Sequence, residues 1–159
     1  MNLAHLLAID RIVPEMKSTE FRGAITELVE HLASEQRPGS ITKDTLVEQF
    51  LRREELVSTG VGSGVAIPHT FVPGLDRVLT VFGRSREGID FGAHDDAPVH
   101  FVVLFVVPEA EYQLHLRMLG AIAKVFADGE VRQRLAAAGD AGEIREILSK
   151  RLARTQGVP

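Results

Sequence analysis

The run from Val99 to Val107 constrains the fold more than any other feature of this chain. Every position in it is apolar except His100, and Pro108 ends it. A strand whose residues are apolar on both alternating faces has to be covered on both faces. The run is also too short to cross a bilayer. It therefore predicts the central strand of a sheet that helices cover on both sides, which is an α/β fold.

Helices and further strands alternate along the rest of the chain. Apolar residues recur at the helical period in several segments, and short alternating runs lie between them. Helices are predicted over about 18–34, 41–55, 110–127, 131–138 and 141–153, with strands up to residue 67, over 77–83 and over 99–107, and a short extended piece over 88–91. Helices alternating with strands again predict one sheet covered by helices.

The composition places limits on the function. A chain of 159 residues can bury one core, and we expect a single domain over residues 1–159 with its core between about residues 3 and 153. The absence of cysteine excludes disulfides, thiolate metal sites and a cysteine nucleophile. His94 lies beside Asp95 and Asp96, but no second cluster completes a ligand set, so we expect no metal.

The charge pattern bears on partners and location. The formal net charge of −4 comes from interspersed acids and bases, without the basic stripe that nucleic-acid binding usually requires. The N-terminal residues lack a basic segment followed by a long apolar run, which disfavours a signal peptide. We therefore expect a cytoplasmic protein that binds no nucleic acid and does not insert into a membrane.

A glycine-spaced loop leads into a short apolar strand and then to Pro68 and His69. Three alternate glycines leave backbone N–H groups open to an anion. Ile67 is expected to be extended because it precedes Pro68, which stiffens the backbone before the histidine. A neutral imidazole is a nucleophile at pH 7. The pattern favours His69 as a phosphoryl acceptor beside a phosphate-binding loop of Gly60, Gly62 and Gly64. The structural alternative is a histidine that ends a strand and hydrogen-bonds the loop.

Arg53 is a second candidate. It shares a helical stripe with Leu46 and Phe50, so its aliphatic stem is expected to pack inward. A guanidinium at the edge of a core needs an anion to pair with. The alternative is an arginine that satisfies the last carbonyl groups of its own helix.

His115 is a third candidate, one turn before Leu119 on the buried face of a predicted helix. The positive end of the helix dipole disfavours its protonated form. A neutral ring could donate an N–H to a phosphate oxygen or pair with His69. The alternative is a capping histidine at the edge of the core, and the spacing alone leaves both open.

Three hydroxyl side chains lie close to this segment. Ser58 and Thr59 precede the glycine loop, where they could line the anion site or organise the turn through local hydrogen bonds. Thr70 follows His69, and its branched side chain could crowd a bound phosphate or donate a hydrogen bond to it.

The segment from Arg53 to His69 resembles the active-site motif of enzyme IIA of the bacterial phosphoenolpyruvate-dependent phosphotransferase system, of the fructose, mannitol and nitrogen-regulatory type. The matching words are Arg53-Glu54, Ser58-Thr59-Gly60-Val61-Gly62 and Gly64-Val65-Ala66-Ile67-Pro68-His69, and the resemblance extends to about Leu148. It is closest to the nitrogen-regulatory branch. Ser63 stands where asparagine is frequent, and Thr70 where a smaller residue is usual.

The resemblance implies a mixed sheet flanked by helices and a phosphotransferase that uses no cofactor. His69 would accept a phosphoryl group from a phosphohistidine carrier, HPr or a paralogue. Arg53 would help to hold that group. His115, which matches a second histidine of the family, would support the reaction without being the acceptor. The phosphoryl group would then pass to a IIB domain or act as a signal to a regulatory target protein.

Two alternatives to a regulatory phosphocarrier stay open. A sugar-specific IIA component for fructose- or mannitol-type uptake would resemble the same family. A partner-binding regulatory module would keep His69 but transfer little, and Thr70 is the residue that points to it. A hydrolase is disfavoured because the motif places no carboxylate as a general base.

Overall fold

The computed structural model describes residues 11–35, 41–56, 60–91 and 97–155. The strands in these ranges are β1 (Ile12–Val13), β2 (Gly60–Gly62), β3 (Val65–Ala66), β4 (His69–Val72), β5 (Leu79–Ile89) and β6 (Val99–Pro108). The helices are α1 (Phe21–Glu35), α2 (Lys43–Leu56), α3 (Tyr112–Phe126), α4 (Gly129–Ala137) and α5 (Ala141–Thr155). No helix in the described part of the chain is long and apolar enough to span a membrane.

Strand β6, the apolar run, is the centre of the sheet. It pairs antiparallel with β5 on one side and parallel with β3 and β4 on the other. Strand β1 extends the sheet beyond β5 in parallel, and β2 extends it beyond β3 in antiparallel orientation. The sheet is therefore mixed, and the α/β fold with a mixed sheet flanked by helices is confirmed.

Two apolar cores lie on opposite faces of this sheet. Alternate residues of β6 contribute to each: Phe101, Val103, Phe105 and Val107 to the core that α3, α4 and α5 complete, and Val102, Leu104 and Val106 to the core that α1 and α2 complete. Because both faces are buried, polar residues are excluded from most of the strand. Burial on both faces explains the apolar run.

The strand predicted over 77–83 is longer than expected. Strand β5 extends to Ile89 and includes the first two residues of the extended piece predicted over 88–91. Its second half contains Arg84 and Ser85, which are buried although their polarity suggests an end to the strand. The predicted strand ended at residue 83, just before these two buried polar residues.

Strands β3 and β4 follow one register along β6 with a break between them. Ala66 lies opposite Val102, and His69 lies opposite Phe105. Pro68, between them, has no N–H to donate to the ladder, while its carbonyl oxygen accepts a 3.0 Å hydrogen bond from the Phe105 N–H. The break makes His69 the first residue of β4.

Candidate functional site

A hydrogen bond to the backbone two residues earlier in the chain holds the imidazole of His69 in place. Its Nδ1 lies 2.8 Å from the carbonyl oxygen of Ile67. A carbonyl oxygen can only accept, so Nδ1 carries the proton and donates it. The lone pair of the neutral ring is therefore on Nε2. The extended Ile67-Pro68-His69 segment that the sequence predicts is what brings this carbonyl under the ring.

Phe105 holds the plane of the same ring. The two ring centroids are 5.2 Å apart with an interplanar angle of 14°, which is a stacked arrangement. The two residues are direct neighbours in the register of β4 and β6. Stacking on a buried phenyl ring limits the rotation of the imidazole about its side-chain bonds. Because Nδ1 is also hydrogen-bonded to the Ile67 carbonyl oxygen, the lone pair of Nε2 points in one fixed direction.

Arg53 lies on the Nε2 side of His69. Its Nη2 is 3.4 Å from Nε2, and its guanidinium carbon is 5.7 Å from the centroid of the Phe71 ring. Leu46 and Phe50 of the same helix are buried, so the predicted stripe does anchor α2 against the sheet. A fixed cation therefore stands beside the nitrogen that carries the lone pair.

His115 completes the group from α3. Its ring centroid is 4.7 Å from that of His69 and 5.0 Å from that of Phe71. The residue is 5% exposed, and neither ring nitrogen has a hydrogen-bond partner among the described residues. Buried polar atoms without partners are rare and costly in folded proteins. Among the described residues, His115 thus keeps both ring nitrogens unused beside His69.

Burial controls the protonation of both histidines. It lowers the pKa of His69 to about 4; the bond to Ile67 opposes this, and the positive charge of Arg53 and the neighbouring His115 lower it further. Burial, and then Arg53, also lower the pKa of His115. Both rings are therefore neutral near pH 7. The site offers an unprotonated Nε2 nucleophile, a cation and a second imidazole that can donate an N–H.

The glycines of the loop, Gly62 and Gly64, do not lie beside His69 as expected. Gly62 and Gly64 have φ angles of 87° and 78°, and Ser63 between them has 57°. They form the turn that joins β2 to β3, where positive φ favours glycine. Gly64 packs near His100, at the opposite end of β3 from His69. At about 3.3 Å per residue, Gly64 is roughly 16 Å along the strand from His69.

The expectation of a glycine cradle at His69 is thus wrong for Gly62 and Gly64, since the turn carries them away from it. Gly60 is closer, because it pairs with Ala66, three residues before His69. Ser58 and Thr59 precede it and lie outside the described residues, so their part in the site stays a prediction.

Thr70 points away from the imidazole. Its hydroxyl donates to the Oε1 of Gln49 at 3.5 Å, and the side chain is 7% exposed. Successive residues of a strand point to opposite faces, and Val72, on the Thr70 side, belongs to the core under α1 and α2. The Thr70 side chain therefore points toward α2, whereas the His69 side chain faces α3.

Sequence reasoning missed three contributors to this site. The Ile67 carbonyl sets the tautomer, Phe105 stacks on the ring, and Phe71 contacts both Arg53 and His115. The extended backbone expected before Pro68 could have suggested the first. Phe71 lies two residues after His69 on β4, so the two-residue period of a strand could have placed it on the same face. The position of Phe105 depends on which strand pairs with β4, and no local pattern contains that information.

Metal binding was the other chemistry considered from the sequence. Among the described residues, no group of three histidine, aspartate or glutamate side chains could hold a metal ion. His94, Asp95 and Asp96 lie outside the described part of the chain. His100 is half-buried, and its Nδ1 lies 2.8 Å from the carbonyl oxygen of Ser85.

Comparison with known proteins connects this geometry to a family. Residues 5–151 match the family model described as phosphoenolpyruvate-dependent sugar phosphotransferase system, EIIA 2. A nitrogen regulatory protein of Bradyrhizobium diazoefficiens is 34% identical over 149 residues, which cover 94% of this chain and 95% of that protein. A fructose-specific EIIA component of Haloferax volcanii is 33% identical over 108 residues, which cover 68% of this chain and 70% of that protein.

A solved structure agrees in fold. The crystal structure of nitrogen regulatory protein IIA-Ntr from Neisseria meningitidis superposes with a TM-score of 0.84 at 32% sequence identity. The match covers 92% of this chain and 98% of that one. The resemblance in the segment from Arg53 to His69 therefore extends to the whole fold.

Proposed function

The chain belongs to the EIIA 2 family of the phosphoenolpyruvate-dependent sugar phosphotransferase system, and we propose that its acceptor atom is Nε2 of His69. The observation that carries this proposal is the pair of contacts at the ring. Nδ1 donates to the Ile67 carbonyl oxygen, and Nη2 of Arg53 lies 3.4 Å from Nε2. A nucleophile with a fixed tautomer and a cation at its lone pair is suited to accept a dianionic phosphoryl group.

The transfer is a displacement at phosphorus. The Nε2 lone pair of His69 forms the new N–P bond while the N–P bond of the donor phosphohistidine breaks, and the donor imidazole leaves with that electron pair. Nδ1 keeps its proton throughout, so this step needs no external base. Arg53 stabilises the charge on the phosphoryl oxygens, and a ring N–H of His115 donates to one of them.

The rim of the site offers a surface for a donor protein. Tyr112 and Leu116, one turn apart on α3, are 59% and 45% exposed, and they are the large exposed hydrophobic residues of the described chain. Tyr112 lies against His115, with ring centroids 5.5 Å apart. We propose that an HPr-like phosphocarrier docks over these two residues, because apolar surface beside a reactive group favours association.

A regulatory role is the form of this function that we favour. The relative named as a nitrogen regulatory protein aligns over nearly the full length of both chains. In this role the phosphorylation state of His69 would be read by a target protein. A sugar-specific IIA component is the second candidate, and the fructose-specific relative, at 33% identity, supports it.

Phosphorylation by purified enzyme I, an HPr-type carrier and phosphoenolpyruvate tests the proposal. Intact mass at alkaline pH should show one added phosphate, which acid treatment removes. His69→Ala should abolish it, with the fold checked by circular dichroism. If several carriers add no phosphate to the wild-type chain, transfer is excluded and a partner-binding module is left.

A second experiment separates the two candidate roles. The phosphorylated chain is mixed with purified fructose-type and mannitol-type IIB domains, and the phosphate on each partner is followed with time. A regulatory protein should keep its phosphate in both mixtures. Rapid transfer to one IIB domain would instead assign a sugar-specific role.

A further inference from the structure

A buried arginine lies on the sheet well away from His69. Arg84 is 1% exposed and projects from β5 toward the end of α4. Its Nε donates to the Pro14 carbonyl oxygen at 3.0 Å, and its Nη1 donates to the carbonyl oxygens of Leu135 and Ala138. All of these acceptors are neutral. The guanidinium is therefore held by dipoles, without an ion pair in this set of contacts.

The other terminal nitrogen of Arg84 is unsatisfied. Its Nη2 is buried and has no hydrogen-bond partner among the described residues. The carboxylates that act on this arginine bond elsewhere: Glu15 lies 3.5 Å from Arg86, and Glu143 accepts from the Gly139 N–H at 2.9 Å. Burying a cation without a hydrogen-bonded anion costs free energy.

A cavity lies beside Arg84 and has a second arginine, Arg86, in its wall. The cavity has a volume of about 300 Å³ and is lined by Arg84, Ser85, Arg86, His100, Phe101 and Ala136. Two arginines line it, and no carboxylate is among these six residues. We call it the Arg84 cavity. A volume of this size accommodates a small ligand.

We propose that the Arg84 cavity binds a small oxyanion, the phosphate or carboxylate group of a metabolite. Arg84 supplies a guanidinium that lacks an anion, and Arg86 supplies a second one, whose Nε also lies 3.5 Å from Glu15. His100 lines the cavity, and its Nδ1 already donates to the Ser85 carbonyl oxygen at 2.8 Å. A fork of guanidinium donors matches the geometry of carboxylate and phosphate oxygens. The anion would provide the charge partner that Arg84 lacks among its protein contacts.

This cavity is separate from the phosphoryl site. Arg84 pairs with Phe101 of β6, while His69 pairs with Phe105 of the same strand. The four intervening steps correspond to roughly 13 Å along the strand. The two sites can therefore be occupied at once, and a variant in one need not disturb the other.

The test is a nuclear magnetic resonance titration of the ¹⁵N-labelled chain. Inorganic phosphate and malonate are added separately into the millimolar range at constant ionic strength, so that general screening does not change. His69→Ala and Arg86→Gln are titrated beside the wild type. Arg22→Gln, which removes an exposed arginine that pairs with Glu48 on α2, is the matched control for lost charge.

Saturable shifts of the amides of Ser85, Arg86 and Ala138 are expected in wild type and in His69→Ala. Arg86→Gln should weaken binding about tenfold, and Arg22→Gln should leave it unchanged. Which of the two anions binds more tightly identifies the headgroup. Arg84→Met should abolish binding if it folds, and the more exposed variant Arg86→Gln tests the proposal if it does not.

Three results would overturn the proposal. One is the lack of saturable shifts with either anion. Another is shifts confined to the surroundings of His69 that disappear in His69→Ala. The third is an equal loss of affinity in Arg22→Gln and Arg86→Gln, which would indicate attraction to net charge alone.

Discussion

The Nδ1 atom of His69 lies 2.8 Å from the carbonyl oxygen of Ile67, two residues earlier in the chain. This contact decides the chemistry of the ring, because it leaves Nε2 as the nitrogen with a lone pair. It also explains the use of Pro68 between the two residues. A residue with a fixed φ and no N–H breaks the ladder to β6 and keeps the segment extended. The short sequence Ile67-Pro68-His69 thus sets a tautomer.

The first prediction is that the phosphoryl group is attached to Nε2. Phosphorylated chain labelled with ¹⁵N in histidine should show, in long-range ¹H–¹⁵N spectra, phosphorus coupling at Nε2 and a retained proton at Nδ1. His69→Ala provides the assignment control. A phosphorylated Nδ1 would mean that the bond to Ile67 breaks during transfer and that the tautomer argument is wrong.

The second prediction concerns the cation at Nε2. Arg53→Gln should lower the transfer rate constant about a hundredfold, because it removes a charged donor from the position where negative charge develops. Quenched-flow transfer from a phosphorylated carrier measures it. Arg52→Gln is the matched control, since Arg52 is the exposed neighbour on the same helix and should stay within about twofold of wild type. Equal losses in the two variants would assign the effect to surface charge.

The third prediction separates function from stability at His115. His115→Leu removes two buried nitrogens that lack partners, so the free energy of unfolding should stay level or rise by about 1 kcal/mol. Transfer should nevertheless fall at least about tenfold. Urea unfolding and transfer kinetics are measured on the same samples, with buried Met118→Leu of the same helix as control. A loss of stability with normal transfer would make His115 a structural residue.

The fourth prediction concerns Thr70. Since its hydroxyl contacts Gln49 and not the imidazole, Thr70→Val should leave the transfer rate within about twofold of wild type. The substitution keeps the branched shape and removes only the hydroxyl. A tenfold loss in the same kinetic assay would show that this hydroxyl reaches the phosphoryl group after all.

The fifth prediction is a dependence of stability on pH. The pKa of His69 is about 4 in the folded chain and ordinarily near 6.5, so between these values only the unfolded chain binds the proton. Stability is therefore fully present above about pH 6.5 and falls as the pH drops toward 4. Lowering the pH from about 7.5 to about 5 should cost about 2 kcal/mol through this residue.

Urea unfolding of wild type and His69→Gln at the two pH values isolates that contribution. The difference in unfolding free energy between the two proteins should shift by about 2 kcal/mol in favour of the variant at the lower pH. A difference that does not change with pH would mean that His69 titrates normally in the folded chain.

Local patterns predicted much of the fold. The apolar run of β6 was identified because a strand buried on both faces has no polar side, and α2 because Leu46 and Phe50 recur at the helical period. Strand β5 was cut short at Arg84. Arg84 can be buried there because it donates hydrogen bonds to the carbonyl oxygens of Leu135 and Ala138. These residues are more than fifty positions away in the chain, so no local rule anticipates the contacts.

The candidate site divides in the same way. His69 and Arg53 were identified from one continuous motif, and the structure brings them within 3.4 Å of each other. The motif misled on Gly62 and Gly64, because glycine is needed both where an anion approaches and where a turn requires positive φ. Sequence alone does not distinguish these two reasons.

By itself, the sequence determined a sheet with a central buried strand, helices on its two faces and a histidine that follows a rigid extended segment. These depend on periodicity, proline and glycine, which act over a few residues. Only the tertiary structure decided that Phe105 stacks on His69, that His115 reaches it from α3 and that Thr70 faces the other way. Strand register and helix docking join residues far apart in the chain, and they follow from how the whole core packs.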